Sequence, residues 1–300
     1  FLHRQNRKNI LESQEDDSKV DEITALVAKE KKQDGADFTG FNLKGVTLNG
    51  VTFLFATLAD VIMDEAQLNE LDFTQANLNS GSFKKAKMEK VKFTNASLEN
   101  ANFEEATLIA CNFENTNLTG CDFSQAKLVD CKFQASNLEH SSFYSTTVEN
   151  CNFSFSRLLY AFLKQATFTK CRLGGINARG SDMSFTKMTE IDMKGSVLKY
   201  ADLNSCTFKD VNLTNSNLIG ADLKDAQCAG TLGEEANFEG SDLTYANFEG
   251  ANFKNAFLLE ANLHGTNFSK ANLSDAYLVD ANLAKVITKG ANIENTILED

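Results

Sequence analysis

The sequence predicts an all-β solenoid. Three observations predict it: an unbroken five-residue period, a small residue at a fixed place in each period, and the complete absence of proline. Large apolar residues fall at Phe38, Leu43, Leu48 and Phe53 and continue in steps of five to Leu298. Of these 53 centres, 49 are Leu, Phe, Met, Ile or Val, the exceptions being Ala178, Cys228, Gly233 and Thr288. All five Met and 17 of the 24 Phe are centres, a phase that chance patterning would lose within a few repeats. A period of five fits neither the 3.6 of a helix nor the 2.0 of a strand. It asks for a coil with one apolar contact per five-residue side, each coil covering its neighbour. Proline would remove a ladder donor in nearly every coil, so its absence suits an uninterrupted β-solenoid.

The residue two before each centre shares the interior with it and is mostly Ala, Ser, Thr, Val or Cys; Phe41, Leu71, Ile176 and Ile191 are the large exceptions. Ile176 precedes the small centre Ala178, a volume-conserving exchange. Gly233 and Thr288 are small centres flanked by Leu232 and Ile287. There, either the strand shifts by one residue or the core is underfilled.

The repeats ADL at Ala201, ANL at Ala261 and ANF at Ala251 match the pattern A-(D/N)-L-x-x, and the chain resembles the pentapeptide-repeat family over about seven-eighths of its length. The resemblance implies a right-handed quadrilateral β-helix, four pentapeptides per coil, with the centre and the residue two before it pointing inward. About thirteen coils are then expected over 36–300, a rod of roughly 60 Å. Centres 20 apart should stack, and sorted that way they separate by type. One side reads Leu58, Leu78, Leu98, Leu118, Leu138 and Leu158, then Leu198 and Leu218. Another reads Phe53, Phe73, Phe93, Phe113, Phe133 and Phe153, and the side opposite it carries Phe83, Phe103, Phe123 and Phe143. Like side chains at a coil spacing of roughly 4.8 Å pack in register.

Residues 1–35 lie outside the repeat. Val20, Ile23, Leu26 and Val27 have helical spacing and Ser18 is a candidate N-cap, which predicts a short α-helical cap over the exposed first coil. The competing reading is a docking helix. The repeat continues to Leu298, two residues before Asp300, with no helix to cover the last coil; fraying, end-to-end contact of two rods or a longer native chain are the alternatives. Between residues 171 and 193 the pattern is looser, as in the glycine-rich run from Gly174 to Met188, which suggests a bend. Cys111, Cys131, Cys151 and Cys171 are spaced by 20, and Cys121 and Cys206 take the same small inward position elsewhere. A line of thiols does not make the tetrahedron zinc prefers, and Cys serves as a small apolar filler, so no metal and no cofactor are expected. Seven free thiols point to the cytoplasm or another reducing compartment.

A net charge of −12 argues against a nucleic-acid partner, and no stretch of 18 apolar residues is present to span a membrane. Lys84, Lys85, Lys87, Lys90 and Lys92, interrupted by Glu89, fall on three successive sides and make a solvated charge run rather than a flat patch. His3, His140 and His264 are scattered, and neither a nucleophile–base set nor a phosphate-binding glycine loop can be assembled, so no enzyme is expected. The informative feature is apolar residues at outward positions of the Leu-centred side: Leu159, Tyr160, Val197, Tyr200, Ile219, Phe257, Leu259, Tyr277 and Val279. Such strips mark interfaces, with a protein partner or a second copy in a homodimer. The expected function is a rigid, non-enzymatic interaction scaffold. The family resemblance implies two further roles: DNA mimicry that protects a type II topoisomerase, and a secreted bacterial effector acting in host cytosol.

Overall fold

The computed structural model describes residues 27 and 29–298. Nine short parallel strands form one sheet in sequence order: β1 (Thr47–Asn49), β2 (Gln67–Asn69), β3 (Lys87–Glu89), β4 (Thr107–Ile109), β5 (Lys127–Val129), β6 (Thr147–Glu149), β7 (Thr167–Thr169), β8 (Lys187–Asp192) and β9 (Thr207–Asn212). Each residue pairs with the one 20 further on, as in Leu48 with Leu68 and Leu68 with Met88. The other three sides carry single-residue bridges in the same register, from Lys32–Thr52 to Tyr277–Ile297. The chain is therefore an all-β parallel solenoid with four short sides per 20-residue turn.

The regular strands span eight turns against the thirteen coils expected; beyond them each side contributes only one bridged residue, in the same 20-residue register as far as Tyr277–Ile297. The N-terminal helical cap is not supported: 1–26 and 28 lie outside the described residues, and Val27 and Lys29 are the only described residues with helical backbone. Pairing itself already begins at Lys32.

The A-(D/N)-L-x-x pattern has a visible cause. The small first residue is buried and closes a turn to the preceding centre, as Ala76 N–H donates to the Phe73 carbonyl at 3.0 Å. The Asp or Asn oxygen accepts the N–H two residues on, as Asp222 Oδ1 does from Lys224 at 3.0 Å. Stacked Asn amides also bond coil to coil, as Asn272 Nδ2 donates to Asn252 Oδ1 at 3.1 Å. Where Ser or Thr replaces Ala, its hydroxyl can donate to a carbonyl, as Thr146 does to Phe123 at 2.7 Å, whereas Ser156 and Thr231 at the same inward position have no partner for theirs among the described residues.

The corner residue, two after each centre, turns the chain. Every fifth residue from Gly35 to Asn295 has φ between +53° and +72°, 39 of them non-glycine. None of these 53 residues is Val, Ile or Thr. A β-branched side chain would be a true outlier in the left-handed region, whereas unbranched and aromatic chains carry a smaller penalty.

Inside, the two Phe ladders stack at ring-centroid distances such as 4.8 Å for Phe93–Phe113 and 4.9 Å for Phe103–Phe123. They meet edge to face across the column, Phe103–Phe113 lying at 6.0 Å and 90°. Every centre from Phe38 to Leu278 is buried. Leu283, Ile293 and Leu298, centres of the last described coil, are exposed because no described coil covers them.

All seven cysteines are buried and free. Burial pushes the Cys171 thiol up to about 11 and raises the Cys111, Cys121 and Cys228 thiols well above their ordinary range. Ellman's reagent is expected to titrate no thiol in the native protein at about pH 8 and all seven in concentrated guanidinium. Stoichiometric reaction under native conditions would show that the column opens.

Candidate functional site: the Leu-centred side

The backbone places all nine strip residues on one side of the solenoid, because each lies one before, one after or two after a centre of the 58, 78, 98 column. Tyr160, Tyr200, Phe257 and Tyr277 are exposed, while Leu159, Val197, Ile219, Leu259 and Val279 are half-buried. They form two patches. The first holds Leu159, Tyr160, Val197, Tyr200 and Ile219. The second holds Phe257, Leu259, Tyr277 and Val279, and Phe257 and Tyr277 stack at 5.1 Å. The turn between them presents Asn237, Glu239 and Gly240.

The tyrosines of the first patch sit at a corner, and their rings are held by neighbours along the rod. His140 stacks on Tyr160 at 5.5 Å, and the Arg179 guanidinium lies 5.5 Å from the Tyr200 ring centre. On the other flank each ring occupies space that a glycine leaves open. A Cβ on Gly180 would lie 2.7 Å from Tyr160 Cε1, and one on Gly220 would lie 2.7 Å from Tyr200 Cδ1. The same pairing joins Phe155 to Gly175 and Tyr245 to Gly265. The signal is present in the sequence as an aromatic corner residue followed by glycine 20 positions later, and it identifies Phe155 and Tyr245 as ordered surface aromatics that hydropathy alone overlooks. Gly195 has φ +65° but nothing within 4 Å of its Cβ position. Gly195→Ala should therefore cost about 1 kcal/mol from the left-handed backbone alone. Gly220→Ala should cost about 1 kcal/mol more, because Tyr200 loses its seat. Urea denaturation monitored by circular dichroism measures both, and equal losses would show that the Tyr200 ring contributes nothing there.

Charge on this side is divided as well. Arg157, Arg179 and Lys199 accompany the first patch; Glu239, Glu260 and Asp280 accompany the second. Arg157 pairs with Glu139 at 3.2 Å. Arg179, Lys199, Glu239, Glu260 and Asp280 take part in no ion pair among the described residues.

Elsewhere the surface gathers little chemistry. His140 belongs to the Tyr160 stack, and His264 lies on the second Phe side with its Nε2 3.2 Å from the Tyr245 hydroxyl, so the two histidines occupy different sides. Among the described residues no group of His, Cys, Asp or Glu is arranged to hold a metal, and no helix is long and apolar enough to cross a membrane. A groove of about 450 Å³ runs over β1–β4 between Thr47, Gln67 and Lys87 on one wall and Asn49, Asn69 and Glu89 on the other. The lysine run is tied into inter-coil ion pairs, Lys84 to Glu104 at 3.0 Å and Lys90 to Glu70 at 3.3 Å.

Comparison with known proteins follows the same lines. None of the curated proteins compared matches the sequence. Among solved structures, a trypsin-treated variant of QnrB1, a plasmid-mediated fluoroquinolone resistance protein, is 16% identical over 56% of this chain and 91% of its own, with a TM-score of 0.47. HetL from the cyanobacterium Nostoc sp. strain PCC 7120, a pentapeptide-repeat protein involved in heterocyst differentiation regulation, is 22% identical over 93% of this chain and 95% of its own, with a TM-score of 0.32. The pentapeptide repeat region family matches residues 86–163, and the pentapeptide repeats (8 copies) family matches 59–95 and overlapping segments that together cover 149–300. With that match over most of the chain and a 20-residue register beneath it, the chain belongs to the pentapeptide-repeat family.

Proposed function

We propose that this protein is a non-enzymatic, rigid interaction scaffold whose Leu-centred side binds a protein partner. The observation that carries the reading is the pair of apolar patches with four exposed aromatic rings on one side, each held by a stacking or cation–π contact along the rod. Rigid aromatic side chains lose little entropy on binding and dominate interface energetics. The same reading takes residues 1–35 as the N-terminal segment, of which the part from Lys32 is already paired into the solenoid, and the winding as right-handed, the hand of nearly all parallel β crossovers. Seven buried free thiols support a reducing compartment, cytoplasmic or host cytosolic.

One observation favours the topoisomerase reading as an alternative. Asp182, Asp202, Asp222 and Asp242 are bridged in successive coils of the second Phe side, a row of four carboxylates. Lys224 offsets the last two, at 3.3 and 3.1 Å. A secreted effector role would use either surface in another cell. Affinity capture from lysate compares the native rod with Tyr200→Glu/Leu259→Glu, after circular dichroism shows both folded. A protein held by the native rod and lost from the variant is the expected result. Identical captures would remove the strip from the function and make inhibition of topoisomerase supercoiling the assay for the acidic row.

A further inference from the structure

The division of charge along the strip names a partner. We propose that the Leu-centred side binds a second copy of this chain, antiparallel, about a two-fold axis that lies in the interface plane, perpendicular to the rod and level with the gap between the coils of Leu218 and Phe238. This rests on the reading of that side as an interface and goes further, because it fixes what the side binds and in which direction.

A two-fold axis at that level sets coils of one copy opposite coils of the other in a defined order. The coil of Leu218 faces that of Phe238, the coil of Leu198 faces that of Leu258, and the coil of Ala178 faces that of Leu278. Lys199 then lies level with Glu260 of the second copy and Arg179 level with its Asp280. Val197 and Tyr200 meet the level of Phe257 and Leu259. Each match occurs twice, as an isologous contact requires. The four charges involved have no ion-pair partner among the described residues, so the arrangement satisfies groups the single chain leaves unpaired. A parallel side-by-side pair would instead bring Arg179 and Lys199 level with themselves and Glu260 and Asp280 level with themselves, which like-charge repulsion disfavours.

The pieces that make the side flat also make the match possible. The coils flanking the axis carry Gly220 and Gly240 at their corners, and the Tyr200 ring lies over the first of them. The first patch's rings are seated on Gly180 and Gly220. Six coils take part, roughly 30 Å of rod at the β spacing, one narrow side wide. An interface of that size is at the small end for specific association, so the dimer should be reversible and weakened by salt.

The test is sedimentation equilibrium of the full chain at low and high salt, with Lys199→Glu, Glu260→Lys, their equimolar mixture and the double variant. The native chain should reach dimer mass at tens of micromolar and dissociate as salt rises. Each single variant places like charges opposite each other twice and should dimerise about tenfold more weakly or worse. Mixing the two singles should restore dimer mass, because every facing pair is then opposite in sign, and the double variant should dimerise alone. A native chain that stays monomeric at low salt overturns the proposal, as does a dimer indifferent to both substitutions or one not rescued by mixing. If the native chain is monomeric yet loses a captured protein in Tyr200→Glu/Leu259→Glu, the side is an interface for a different partner and only the self-association fails. If neither is seen, both readings fail.

Discussion

Phe113→Asp is expected to unfold the middle of the rod. The Phe113 ring is fully buried, stacked at 4.8 Å on both Phe93 and Phe133, with Phe103 and Phe123 edge-on at 6.0 and 6.2 Å. Truncating such a ring costs about 3–5 kcal/mol, and an unpaired carboxylate in the dry column adds several more. Phe113→Leu, which keeps most of the volume, should cost about 1–2 kcal/mol. Each coil touches only its neighbours, so the damage should be local: hydrogen exchange is expected to rise in the coils that include Phe93, Phe113 and Phe133 while those beyond Leu198 stay protected. The loss should also depend on pH. Burial raises the folded-state pKa of the introduced acid above its unfolded value of about 3.9, so the penalty is full above the folded-state pKa, shrinks as pH falls below it and is gone below about 3.9. Unchanged thermal melting of Phe113→Asp would contradict the inward placement of the centres.

What is legible in the sequence follows from which forces are local and periodic. The centres are legible because each is buried by the same geometry every fifth residue, and Ala178 can be placed because its filler, Ile176, lies two residues away; both are buried. Leu71 and Ile191 are buried as the pattern demands, and nothing in the structure explains why those inward positions are large. The corner conformation is also written in the sequence, in the absence of Val, Ile and Thr from every fifth place, but it is a signal of exclusion and is easily passed over. The strip is legible as apolar letters at polar positions. Its division by charge is not, because Lys199 and Glu260 acquire meaning only once levels along the rod are assigned. The helical cap is less legible for the opposite reason: the spacing of Val20, Ile23, Leu26 and Val27 permits a helix without any repeating neighbour to require one, and three of the four lie outside the described residues.

Gly233 shows what a local reading misses, and it yields the second large effect: Gly233→Leu, which restores the consensus centre, is expected to destabilise the protein. The register does not slip there, since Gly233 N–H donates to the Asn252 carbonyl at 2.7 Å and Leu232 points outward, exposed. Nor is the core underfilled. The ring of Phe253, one coil on, leans into the space, so that a Cβ on Gly233 would lie 2.5 Å from its Cε1 and 2.7 Å from its Cδ1. That ring cannot retreat. It is fully buried, with Phe238 at 5.2 Å, Phe248 at 5.0 Å and Phe268 at 5.8 Å, all edge-on. Gly233 is absent from the left-handed positions, so a side chain carries no backbone penalty and the whole cost is overpacking, about 3 kcal/mol. The double variant Gly233→Leu/Phe253→Leu exchanges volume between two stacked centres and should recover to within about 1 kcal/mol of the native protein. Urea denaturation of the four proteins in the cycle gives the coupling directly. A stabilised Gly233→Leu, or a double variant no better than the single, would mean that Phe253 does not fill the Gly233 site and that the column is soft at this level.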